Sequence, residues 1–366
     1  MFSDNGLGFG PLEPVVSLPG VTDIAVTPCG AVWIDRGEGM REVTLEVPFS
    51  TPARVREYAM RLCAQLGRRL DDACPIADAA SMTGVRVHAV LEPLVPAGAA
   101  ISIRLPPRAA PSLGDIERSG FLPHAWVSVL RRLLAARASI VVSGGTGTGK
   151  TTLVRALLRE CEPTERVVIV EEIREIGDLG RGNFVSLVSR EKNVEGAGEV
   201  SLSQLVTATL RMRPDRIVLG ECRGPETADV LRAFNTGHRG GMVTIHSNGI
   251  ERLPQRLVAL GQLSGMSSES LVTLADGAFD VALHLERAAR GPLAGSRRVS
   301  CIGHLCGDAP TGPLGVSEER GSHQRAKGLR GEVLSTWDGM GSPVIFPGWE
   351  EFSSQWGLED DGGEVT

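Results

Sequence analysis

The chain has little that would place it in a membrane, outside the cell, or along a nucleic acid. It contains no run of about 18 apolar residues, the length a membrane-spanning helix needs. Its first residues, MFSDNGLGFGPLEP, offer neither a basic segment nor an apolar one of the kind a secretory leader carries. Basic residues are not in excess: 38 Lys+Arg stand against 44 Asp+Glu, a net charge of -6, which argues against a generally basic nucleic-acid surface. Aromatic residues make up only 4% and are not interleaved with basic ones as in single-strand binders. The seven cysteines are an odd number scattered through apolar segments, as expected of reduced thiols rather than a disulfide framework. No C-x-x-C pair occurs. The one cluster, Cys301, His304 and Cys306 in CIGHLC, lacks a fourth metal ligand at usable spacing and reads as strand residues. Internal repeats are absent. The expectation is a soluble cytoplasmic protein with no membrane insertion.

What is present is ordinary globular composition, 42% hydrophobic and 22% charged over 366 residues, enough for two domains with real cores. The most informative stretch is IVVSGGTGTGKTTLVRAL, from Ile140 to Leu157. A β-branched run suited to a buried strand leads into a Gly-rich turn, and the turn leads into helical spacing through Leu153, Ala156 and Leu157. Gly144, Gly149, Lys150 and Thr151 fit G-x-x-x-x-G-K-[ST] in that context, so this is a loop for nucleotide phosphates. The loop residues Gly144, Gly145, Thr146, Gly147, Thr148 and Gly149 turn backbone N-H groups inward. The following helix, opening with Lys150, Thr151 and Thr152, adds its positive end. Lys150 is expected to reach the β and γ phosphates of ATP, and the Thr151 hydroxyl to ligand Mg²⁺.

The rest of the chain arranges itself around this loop. Residues 1–20 read as an irregular lead-in rich in Gly and Pro. Residues 21–105 alternate short strands (TDIAVT, AVWID, REVTLEV, VRVHAVLE, AAISIRL) with one helix, capped by Thr51 and opened by Pro52, and form a small α+β domain. Residues 106–120, with three prolines, read as a linker. Residues 121–306 alternate strand and helix patterns, the signature of a parallel sheet covered by helices. Residues 307–366, rich in Gly, Pro and Ser, read as a disordered tail, with a short docking segment built on Trp337, Trp349 and Trp356 as the sharper alternative.

Three further elements follow the loop. VVIVEEIRE gathers Glu171, Glu172 and Glu175 at a strand's carboxyl end, where α/β sheets keep their ligand chemistry and where a carboxylate can orient attacking water. RIVLGE ends at Glu221, a position that holds Mg²⁺, partly through water, or polarises the attacking water. The segment before it clusters Arg211, Arg213 and Arg216, which as a group could neutralise transition-state charge, including that on a neighbouring subunit's nucleotide. MVTIHS closes on His246 at the same sheet edge.

With these boxes in this order, the chain resembles the ATPases of type II and type IV secretion and pilus assembly. NVEGAGEVSLSQLVTATLRMRPDRIVLGE is especially similar to the tight-adherence (Flp) pilus assembly and conjugal-transfer-associated members. The resemblance implies an α/β fold: a RecA-like P-loop NTPase domain with a smaller N-terminal α+β (PAS-like) domain. It also implies a homo-hexameric ring that hydrolyses ATP and passes movement to an inner-membrane platform protein, peripheral to the inner face of the cell membrane. Carried over by residue, Glu175 matches the general base, Glu221 the Walker B glutamate and His246 a sensor of the γ phosphate. Arg211 and Arg190 match arginines near the nucleotide boundary, and Arg104 an arginine that reaches the nucleotide from the N-terminal domain. The chain departs from the family in having Glu171-Glu172 where Glu-Asp is usual, Arg239 after His238, and none of the zinc cysteines of some type II members. Competing readings are a conjugation-type DNA-transfer ATPase, a phosphoryl-transfer enzyme for a small acceptor, and a nucleotide-dependent scaffold with little hydrolysis.

Overall fold

A computed structural model describes residues 7–37, 39–106, 109–177, 179–180, 182–190, 192, 197–288, 295–307 and 328–358. The chain divides into two compact units. Residues 1–109 with Ile173–Gly177 form one, and Ala110–Glu172 with 178–366 the other.

The N-terminal unit is a six-stranded antiparallel sheet packed on one long helix. Its elements run α1 (Glu13–Val16), β1 (Asp23–Val26), β2 (Val32–Asp35), β3 (Met40–Val43), α2 (Pro52–Gln65), β4 (Ile76–Ala80), β5 (Arg86–Leu91) and β6 (Ala99–Arg104), in sheet order β3-β2-β1-β6-β5-β4. Strand residues alternate buried and exposed, as a sheet with one covered face requires. The covering face is the stripe Val55, Tyr58, Ala59 and Leu62 of α2, whose first turn is capped by the Thr51 hydroxyl accepting from Arg54 N. The lead-in expected to be irregular instead joins this core. Phe9, Leu12, Val15 and Val16 are buried, and the Tyr58 hydroxyl donates to the Phe9 carbonyl at 2.9 Å. Strand β4 had no expectation behind it: IADAA is a weak, Ala-rich signal that pairing with β5 makes a strand.

The second unit opens with α3 (Leu113–Arg118) and α4 (His124–Ala135). The stretch expected as a linker thus carries a helix, opened by a capping box between Ser112 and Asp115, with Leu113 and Ile116 buried. Then follow β7 (Ile140–Gly144), α5 (Lys150–Glu160), β8 (Val167–Glu171), β9 (Phe184–Val188), α6 (Leu202–Thr209), β10 (Arg216–Cys222), α7 (Glu226–Asn235), β11 (Met242–Ile245), α8 (Leu253–Gly261), α9 (Ser268–Ala275), β12 (Val281–Arg287) and β13 (Arg297–Gly307). The sequence from 307 onward, expected as a tail, contributes β14 (Leu329–Thr336), β15 (Val344–Ile345) and α10 (Trp349–Gln355). The reason is the open edge of β13, whose N-H and C=O groups β14 satisfies from Cys301↔Thr336 to Gly307↔Leu329. Phe352 and Trp337 are buried there.

All fifteen named strands but the first six lie in one sheet, ordered β15-β14-β13-β12-β7-β11-β10-β8-β9. The six from β12 to β9 are parallel and the other three antiparallel. Every residue of β7, β8 and β11 is buried, as parallel strands covered on both faces demand. Because β7 lies between β11 and β12, with β10 next to β11, the carboxyl ends of β7, β10 and β11 open on one edge.

Candidate active site

The loop between β7 and α5 is built on backbone geometry. Gly147 has φ +70° and Gly149 φ +99°, values that side chains with a Cβ adopt only at a cost, and Gly149 is also the N-cap residue of α5. A methyl group at Gly149 would lie 2.8 Å from the Phe121 ring, whereas one at Gly147 meets nothing within 4 Å. Thr148 Oγ1 donates to Gly145 O at 2.9 Å and ties the loop across itself. Lys150 is buried at 8% exposure, and its ammonium donates to Gly144 O at 3.0 Å and Gly145 O at 2.9 Å. An ammonium folded onto loop carbonyls beside a helix N-terminus is a cation stored where a phosphate oxygen can replace those carbonyls. Behind the loop, Ser143 Oγ and His284 Nδ1 are 2.9 Å apart in the core, and burial lowers the pKa of that histidine.

At the ends of the neighbouring strands a charged group forms around Glu221. Its Oε1 lies 2.5 Å from His246 Nε2, and Oε2 pairs with the Arg223 guanidinium. Arg223 also donates to Glu172 Oε2 at 2.9 Å. The His246 pKa is lowered, first by burial and then by the Lys150 charge, with Glu221 opposing both and Arg223 and Arg256 adding to them. A lowered value keeps the imidazole neutral near pH 7. The 2.5 Å approach is an ion-pair distance without hydrogen-bond geometry, and Glu221 Oε1 is buried with no hydrogen-bond partner among the described residues. Glu221, His246 and Lys150 are therefore electrically one cluster. Thr151 opens α5 immediately after Lys150, and a hydroxyl with a carboxylate is the hard oxygen donor set that Mg²⁺ takes.

The other sequence-derived candidates go elsewhere. The acidic box separates: Glu171 ends β8 buried, Glu172 pairs with Arg223, and Glu175 belongs to the segment Ile173–Gly177 that clusters with the N-terminal unit. There Glu175 pairs with Arg86, while Arg174 donates to Met82 O at 2.9 Å. A turn read along the sequence as one acidic patch is pulled apart by which unit each residue packs in. Arg104, also in the N-terminal unit, donates from Nε to Asp23 Oδ1 at 3.0 Å across the β1–β6 pair. Arg211 is exposed just beyond α6, and Arg190 donates to Gly198 O beside a bridge to Val200. Neither belongs to the Glu221 cluster among the described contacts.

Arg216, clustered with Arg211 in the sequence, is a structural residue. It is 2% exposed, forks onto Glu165 with Nε–Oε2 at 2.6 Å and Nη2–Oε1 at 3.1 Å, and caps carbonyls of Leu134 and Gly240. Reading the sequence missed Arg223, whose only signal was its place two residues after Glu221 on the same strand end.

Comparison with known proteins follows the same lines. The family described as type II/IV secretion system protein matches residues 6–277. A conjugal transfer protein of Mycobacterium tuberculosis is 42% identical over 305 residues, covering 81% of this chain and 84% of that protein. The type IV secretion system protein PtlH of Bordetella pertussis is 30% identical over 307 residues, covering 76% of this chain and 89% of its own. Among solved structures, the pilus retraction motor PilT with bound ADP superposes with a TM-score of 0.55 at 21% identity, covering 77% of this chain and 78% of that one, a likeness of fold.

Proposed function

The chain belongs to the type II/IV secretion system protein family and is a motor ATPase of it, and from that premise we propose how its residues divide the work. When bound, ATP supplies the phosphoanhydride to be cleaved and Mg²⁺ the positive charge that draws electron density from it. The inward N-H groups of Gly144, Gly145, Thr146, Gly147, Thr148 and Gly149 bind the phosphates, and Lys150 exchanges its two loop carbonyls for phosphate oxygens. Thr151 and Glu221 hold the magnesium ion, Glu221 partly through water. Neutral His246, 2.5 Å from Glu221 Oε1, reads the γ phosphate position, so loss of that phosphate changes the contact beside the carboxylate. Glu175 serves as general base after release from Arg86.

The observation that supports this reading best is the joint dependence of His246 on Lys150 and Glu221, which ties the phosphate loop to the tips of β10 and β11. Among the described residues no helix is long and apolar enough to cross a membrane, which fits a peripheral motor. We propose further that copies form a homo-hexameric ring, that Arg211 and Arg190 complete a neighbour's pocket, and that Arg104 reaches the nucleotide from the N-terminal unit. The ring works on an inner-membrane platform to assemble a pilus or export protein. A conjugation-type motor is the second reading, favoured by the mycobacterial relative's name. Stimulation of ATP turnover by DNA would select it.

The direct test is Glu221→Gln. ATP binding should persist while turnover falls by roughly 100-fold or more, about 3 kcal/mol of transition-state stabilisation. Unchanged turnover would remove Glu221 from the mechanism.

A further inference from the structure

A second cluster of ligand-type side chains lies on β13 and β14, on the opposite side of β7 in the sheet order from β11 and β10. His304 and Cys306 are two residues apart on β13, so both leave the same face. The register puts Glu332 directly opposite His304 and Arg330 opposite Cys306. His304 Nε2 lies 3.6 Å from Glu332 Oε2, and Cys306 Sγ lies 3.6 Å from the same oxygen. One ligand atom from each of the three residues falls within 4.8 Å of the other two. All three are half-buried, and Phe352 of α10 stands edge-on to the imidazole with centroids 6.3 Å apart.

We propose that His304, Cys306 and Glu332 form a Zn²⁺ site that fastens β14, and with it the C-terminal helix, to the motor sheet. Bond lengths to nitrogen, oxygen and sulfur at a tetrahedral zinc put its ligand atoms about 3.4–3.6 Å apart, and two of the three separations already have that value. Imidazole nitrogen, thiolate sulfur and carboxylate oxygen are all ligands that zinc takes, leaving a fourth position for water. Binding converts the Cys306 thiol to thiolate and releases its proton to solvent. Without metal, Arg330 covers the same groups, its Nε donating to Cys306 Sγ at 3.3 Å and Nη2 lying 3.9 Å from Glu332. Its side chain is 58% exposed. The CIGHLC segment supplies only two of the three ligands, because the third, Glu332, lies on another strand and is brought opposite by sheet pairing.

The test uses the full chain after chelator treatment, titrated with Co²⁺ and then Zn²⁺. One equivalent of Co²⁺ should give tetrahedral d–d bands and a sulfur-to-cobalt charge-transfer band, both removed by one equivalent of Zn²⁺. Cys306→Ser should abolish the charge-transfer band, and Glu332→Gln should weaken binding by at least about tenfold. Arg330→Ala should bind Zn²⁺ more tightly than wild type, since a competing cation is gone. Zinc should also raise the melting temperature of wild type and Arg330→Ala but not of Cys306→Ser. This arm covers a variant that folds poorly. A missing charge-transfer band, or one that survives Cys306→Ser, overturns the proposal. So does weaker zinc binding in Arg330→Ala, which would mark Arg330 as part of a thiolate pair rather than a competitor.

Discussion

Replacing Gly149 by alanine tests how tightly the phosphate loop is drawn. At φ +99° an alanine sits in the left-handed region, which costs about 1–2 kcal/mol. Its methyl group would also lie 2.8 Å and 3.0 Å from two carbons of the Phe121 ring. That ring is buried, so it cannot retreat, and overpacking of this kind costs about 1–3 kcal/mol more. Gly147→Ala is the matched control: φ is +70°, but the methyl group enters open space, so only the backbone cost applies. In a unit of this size each kcal/mol moves the melting temperature by about 2–4 °C. Gly149→Ala should therefore melt roughly 2–12 °C below Gly147→Ala, the whole difference being the ring contact. Scanning fluorimetry without nucleotide measures it. Adding Phe121→Ala to each glycine variant should erase the difference, as a double-mutant cycle requires. Equal melting temperatures for the two glycine variants, or a difference that survives loss of the ring, would refute the account of this loop.

Other predictions follow from the same geometry. Arg216→Ala should destabilise the motor unit by about 3 kcal/mol, because Glu165 then stays buried with only the half-exposed Arg137 at 3.3 Å; denaturant titration measures it, and Arg216→Lys should not rescue the fork. Burial holds the His284 pKa below the ordinary value of about 6.5, so the unfolded chain takes up that proton first. Its contribution to stability is complete above about pH 6.5 and lost as pH falls from there toward the folded value; melting curves against pH should flatten in His284→Asn. Mixing Arg211→Ala subunits with Glu221→Gln subunits should restore part of the turnover if the arginine works on a neighbour's nucleotide. No rescue at any ratio removes the shared pocket.

Much of this protein could be read along the chain because its signals are local. The phosphate loop is consecutive residues whose glycines, lysine and flanking strand and helix act together, and β8, β10, β11 and β12 are each built on a short buried stretch of mostly apolar residues. The glutamate and histidine at the tips of β10 and β11 were visible for the same reason: in a parallel sheet a strand's last residue falls at the ligand edge whatever its neighbours are. The weak helix α3 and the buried lead-in were missed because short segments take their structure from the core they cover.

Composition and spacing by themselves determined a nucleotide loop, a parallel sheet behind it and a small antiparallel domain before it. Only the folded chain decided that Glu175 sides with Arg86 while Glu172 sides with Arg223, that Arg216 is a strut, that the C-terminal sequence extends the sheet, and that Glu332 faces His304. Each of those decisions joins residues many positions apart. Backbone propensity acts over a few residues, whereas the partner of a charge is set by which strands share hydrogen bonds, and that is a property of the whole sheet.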